Sequence, residues 1–83
     1  MLLDVVEVRA REAYRLWLRF ENGEEREFDC MLLLDKKPYK KLADKRFFKQ
    51  ARVALGTVSW PGEIDIAPET LYLDSKPVDK AAA

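Results

Sequence analysis

Residues 14–30 read Y-R-L-W-L-R-F-E-N-G-E-E-R-E-F-D-C, and this stretch decides the fold. Tyr14, Leu16, Leu18 and Phe20 alternate with Arg15, Trp17 and Arg19, the period-two signature of a strand with one buried face. Asn22-Gly23 then supplies residues that tolerate positive φ, which predicts a tight hairpin turn. The return strand, Glu25 to Cys30, sets Arg26, Phe28 and Cys30 on one side and Glu25, Glu27 and Asp29 on the other. Arg15 and Arg19 against those acids are cross-strand pairs worth about a few tenths of a kcal/mol each.

Outward from this hairpin the signals are shorter. On the N-terminal side, Val5 to Arg9 is a β-branched strand, and Arg11-Glu12 reads as a polar break. On the C-terminal side, Met31 to Leu34 is apolar without alternation, so a buried strand end and a helical turn stay equally open. Asp35-Lys36-Lys37-Pro38 is turn chemistry; Pro38 starts a short helix with Tyr39, Leu42 and Ala43 on one face. Asp44 is placed to cap a second helix, Lys45 to about Ala51, with Phe47, Phe48 and Ala51 as its buried stripe.

The last third carries strand character at Arg52 to Leu55, a turn or bulge at Gly56-Thr57, and a strand at Val58 to Trp60. Pro61-Gly62 ends that strand, Ile64 and Ile66 point inward, and Pro68 to Tyr72 makes a last helical turn. These elements predict an α+β domain, mainly an antiparallel sheet (the hairpin plus further short strands) with two or three short helices, over residues 1–73. Residues 74–83 read as a flexible tail.

Composition narrows the function classes. An 83-residue chain holds one core, and 48% hydrophobic content is enough to fill it. A single cysteine, Cys30, argues against a disulfide scaffold and for a reducing cytoplasm; no apolar run is long enough to span a bilayer. With no histidine, Ser-His and Cys-His nucleophile pairs and most zinc sites are excluded. Cys30, on the inward side of its strand, reads as a small core residue rather than a nucleophile. Three widely spaced glycines build no phosphate loop. The sequence implies no catalytic residue, no cofactor and no resident metal.

Zero net charge conceals segments of −3 (residues 1–34, five Lys/Arg against eight Asp/Glu), +6 (35–52, eight against two) and −3 (53–83, two against five). Three surfaces therefore compete. Trp17, flanked by Arg15 and Arg19 on the outward side of its strand, is either packed under a helix or an anchor for a protein partner. Lys36 to Arg52, including Lys40 and Lys41, is either the solvated face of two helices, a further contact for the protein partner through Lys40 and Lys41, or a contact for nucleic acid. Glu63, Asp65 and Glu69 are candidates for a small ligand or divalent cation, against a structural reading in which Asp65 caps the Pro68 turn and Glu69 complements its positive end. Asn22, Gly23, Asp44, Pro61, Asp65 and Pro68 are read as turn and cap residues.

The order V-x-V, Y-R-L-W-L-R-F-E-N-G-E with a following F-D, L-x-D-x-x-F-F, G-T-V-S-W-P and D-I-A-P-E-T-L-Y resembles the small bacterial proteins grouped as domain of unknown function 2442, from Val6 to Tyr72. The family usually reads W-P-N-G before its acidic residue, whereas here Pro61 is followed at once by Gly62 and Glu63. The resemblance implies an antiparallel sheet with small helices and a non-enzymatic role as the antitoxin-like or accessory partner of a small protein encoded beside it. Some members carry the domain ahead of a helix-turn-helix, for which these residues leave no room, and others are labelled ligand binders. Outward aromatics and sheet edges also admit a homodimer.

Overall fold

The structure is a computed structural model that describes residues 3–78. Its first layer is an antiparallel sheet of β1 (Val5–Arg11), β2 (Arg15–Phe20), β3 (Glu25–Asp29) and β7 (Lys76–Pro77), in that spatial order. A second antiparallel sheet contains β4 (Arg52–Ala54), β5 (Thr57–Trp60) and β6 (Ile64–Ile66). Two helices, α1 (Lys45–Phe48) and α2 (Pro68–Leu73), and 3₁₀ turns at Glu12–Tyr14, Cys30–Leu32 and Tyr39–Ala43 complete an α+β architecture.

The inward set on β2 is the one its alternation predicts: Leu16, Leu18 and Phe20 are buried. They join Val5 of β1, Phe28 of β3, Val58 and Trp60 of β5, Ile64 and Ile66 of β6, and Leu42, Phe48 and Leu71 from the helical segments in one core. Trp60 carries a polar edge into it, and its indole N–H donates to the Phe48 carbonyl at 2.9 Å, so the buried nitrogen is satisfied. The sheets are joined where the Val5 N–H donates to the Gly56 carbonyl at 2.9 Å.

The turns depart from expectation. In the central hairpin only Gly23 takes positive φ (+89°), and its N–H donates to the Phe20 carbonyl. The connection is thus a three-residue loop with Gly23 as a left-handed bulge, the next commonest solution after the two-residue turn. The Asn22 side chain accepts from the Glu24 N–H. β1 runs on through Arg11, past the expected break, and reverses over Ala13 (φ 59°) and Tyr14 (φ 58°), so that Tyr14 lies in the turn rather than in β2. Leu55 (φ 52°) and Gly56 (φ 78°) form the corresponding tight turn between β4 and β5.

Met31 to Leu34, left open between strand and helix, begins in the 3₁₀ turn, which Asp29 caps by accepting from the Met31 N–H. Asp44 accepts from the Arg46 N–H at the start of α1, but that helix ends at Phe48 instead of near Ala51. Asp65 does not cap the Pro68 turn. It sits in the middle of β6 opposite Ser59, while the N-cap position of α2 is Ala67 with no side-chain bond.

The domain also extends beyond residue 73. β7 pairs with β3 through Arg26↔Pro77 and Glu27↔Lys76, and Ser75 is buried beneath Arg26, whose guanidinium bonds both the Ser75 hydroxyl and its carbonyl. Pro77 is tolerated because β7 is an edge strand. Residues 79–83 of the expected tail lie outside the described residues.

Candidate interaction surface

Alternation in three neighbouring strands builds a three-by-three array on the face of the first sheet that points away from the core. Register sets Glu7, Arg19 and Glu25 in one row, Arg9, Trp17 and Glu27 in the next, and Arg11, Arg15 and Asp29 in the third. Trp17 occupies the centre and is half-buried by its own neighbours. Arg9 lies over its ring, 5.8 Å from the centroid. No described helix packs on this face, because the helical segments bury Leu42, Phe48 and Leu71 among the inward residues.

The arginines are held in place by acids. Glu7 pairs with Arg9 at 2.9 Å and with Arg19 at 3.1 Å, and Arg15 pairs with Glu27 at 3.6 Å. The bonds from Arg19, then Arg9, hold the Glu7 carboxyl below the usual carboxylate range. Exposed pairs of this kind contribute about 0–1 kcal/mol each, so they order the surface around Trp17 more than they stabilise the domain. Four cations against four acids leave the array neutral.

Of the residues singled out in the sequence, Arg15, Trp17 and Arg19 are brought together here. Lys40 and Lys41 are not; both are exposed on the 3₁₀ turn whose Leu42 enters the core. Arg9 and Arg11 are array members that the sequence reading missed, although V-E-V-R-A-R alternates as plainly as β2.

At one end of the array, a groove opens between the β1–β2 turn and α1. Tyr14 stands at its base, edge-on to Phe48 with ring centroids 5.3 Å apart, and its hydroxyl donates to the Ala43 carbonyl. Arg11 and Arg15 reach the groove from the sheet, and Lys45 and Lys49 reach it from the helical side. Thus two surfaces separate in the sequence converge here.

The remaining candidates carry less. Glu63 lies in a turn at φ 62°, Asp65 is exposed on β6 and Glu69 is exposed in the first turn of α2. Among the described residues no group of three or more His, Cys, Asp or Glu side chains is placed to hold a metal ion, so these three are not assembled as a divalent-cation site, one of the sequence-based alternatives. Cys30 is fully buried, and burial, with the Asp29 charge beside it, pushes its thiol up to about 12. Such a thiol is protonated and inert at neutral pH. No helix among the described residues is long and apolar enough to cross a membrane.

Fold and surface together define a small α+β domain of two antiparallel sheets with a charged outer face. The chain belongs to the DUF2442 family, described as a protein of unknown function, whose family model matches residues 5–77. No curated protein and no solved structure matches it.

Proposed function

We propose that this chain is a non-enzymatic binding module that docks a second protein on the outer face of its four-stranded sheet. The observation that carries the reading is Trp17: a half-buried tryptophan at the centre of an ordered array of both charge signs, on a face no described element covers. Tryptophan and arginine are the residues most enriched at interface hot spots, and alternating charges give register and exclude wrong partners. The resemblance to the family, which implies an antitoxin-like or accessory partner of a small protein encoded beside it, is compatible with this reading, and the single buried thiol fits a reducing cytoplasm. A homodimer through the same face is the competing occupant, and light scattering separates the two.

The test is co-expression with the adjacent gene product, using the native chain and Trp17→Ala. A complex with the native chain that is lost with the variant supports the reading; no complex, and no change in the product's toxicity, overturns it. Lys40→Glu with Lys41→Glu is the control, expected to leave the complex intact because those residues are not members of the array.

A further inference from the structure

We infer that the groove between the β1–β2 turn and α1 is a docking site for an acidic peptide segment of the partner, one that places an apolar side chain between carboxylates. The inference rests on the reading of the chain as a protein-binding module and adds the chemistry of what it binds. Ala13 and Tyr14 provide an apolar wall against Phe48, with Met31, more than half exposed, at the margin.

Four cations surround that wall, and three of them have no acidic partner: Arg11, Lys45 and Lys49 form no ion pair with a described residue. The groove also holds three acids, Glu12, Glu27 and Asp29, of which Glu27 is paired with Arg15, so its cations exceed its acids by one. Unpaired cations around an apolar wall are complementary to separated carboxylates flanking an apolar anchor.

The groove is also fixed in shape. Its turn uses Ala13 and Tyr14 in the left-handed region, where a glycine or asparagine is the ordinary choice. The packing of Tyr14 on Phe48 and its bond to Ala43 hold that conformation. A pre-set wall lowers the ordering cost of binding a flexible segment. A single-stranded nucleic acid fits less well, because Tyr14 is packed edge-on to Phe48 rather than displayed for base stacking.

The probe is a fluorescein-labelled peptide of alternating Glu and Leu, compared with its Lys-for-Glu counterpart and with a single-stranded oligodeoxynucleotide, each titrated into the native chain while amide signals are followed. The expected result is binding of the Glu/Leu peptide with shifts at Ala13, Tyr14, Lys45 and Lys49, weakened about tenfold or more by Lys45→Glu with Lys49→Glu. Both lysines are exposed, and Lys45→Ala with Lys49→Ala, expected to weaken binding less, serves if the charge reversal fails to fold. Absence of these shifts, equal binding of the Lys peptide, or tighter binding of the oligonucleotide at the same amides overturns the inference. A partner lost with Trp17→Ala but indifferent to the lysine variants would remove the groove while leaving the sheet-face module standing. Peptide binding in the groove without any Trp17-dependent partner would do the reverse.

Discussion

Leu55→Asn should make this protein more stable. Leu55 is at φ 52° and is 102% exposed as a residue, so it contributes no burial while holding a conformation unfavourable to a Cβ-bearing residue. A left-handed residue of this kind costs about 1–2 kcal/mol, and asparagine, whose short side chain bonds locally, avoids much of that cost. The change also creates Asn-Gly with Gly56, already at φ 78°, the preferred pair for the two-residue turn between β4 and β5. The expected gain is about 1 kcal/mol, or about 4–8 °C in Tm for a domain of this size. Urea and thermal unfolding measure it, with Leu55→Ala as control. Alanine keeps the backbone penalty and removes only the exposed side chain, so it should lie within about 0.5 kcal/mol of the native chain. An asparagine variant no more stable than the native chain, or an alanine variant destabilised by more than about 1 kcal/mol, would refute the backbone argument and show that the leucine packs.

Trp60→Phe removes the bond to the Phe48 carbonyl and leaves a void in the core, and should cost about 2–4 kcal/mol by urea denaturation. Acid should destabilise the fold through Glu7 and Glu24. Arg19 and Arg9 lower the first; the Tyr72 hydroxyl, then Asn22 and Arg26, lower the second. A depressed folded value means that the stabilisation is complete above the ordinary carboxylate value of 4.5 and is lost as pH falls through the folded values, a loss that Glu7→Gln should flatten. Alkali should also destabilise the fold, through Cys30. Its folded value of about 12 lies above the ordinary 9.0, so stability is intact below pH 9.0, declines as pH rises towards 12, and declines less in Cys30→Ala. The same burial predicts that Cys30 resists thiol reagents in the native chain at neutral pH and reacts only on unfolding, as mass spectrometry would show.

The central hairpin and the Trp17 face were legible because period-two alternation fixes side-chain direction independently of anything distant in the chain. The same pattern runs through Glu7, Arg9 and Arg11, but the adjacent charges of Arg11-Glu12 imitate a loop. Nothing in Ala13-Tyr14 announces a turn. That reversal is imposed from outside, by the contacts of Tyr14 with Phe48 and Ala43. β7 was illegible for a related reason: Lys76–Pro77 is short and polar, and only the register with Arg26 and Glu27 makes it a strand. Asp65 shows the limit of cap reasoning, since a carboxylate ahead of a proline-started helix suggests a cap, and pairing with Ser59 keeps it in β6 instead. The groove depends on where Leu42 and Phe48 dock, which sets Lys45 and Lys49 beside the sheet arginines and leaves Lys40 and Lys41 elsewhere.

In the proposed function, the outer face of the four-stranded sheet binds a protein partner. Amide chemical-shift mapping of the isotope-labelled chain, on addition of the unlabelled product of the adjacent gene, tests it most directly. The expected shifts concentrate at Arg9, Arg15, Trp17 and Arg19, with the Trp17 indole signal moving and the buried Trp60 indole unmoved. Saturable shifts confined to β6, α2 or Lys40 and Lys41, with the Trp17 indole unchanged, would contradict it.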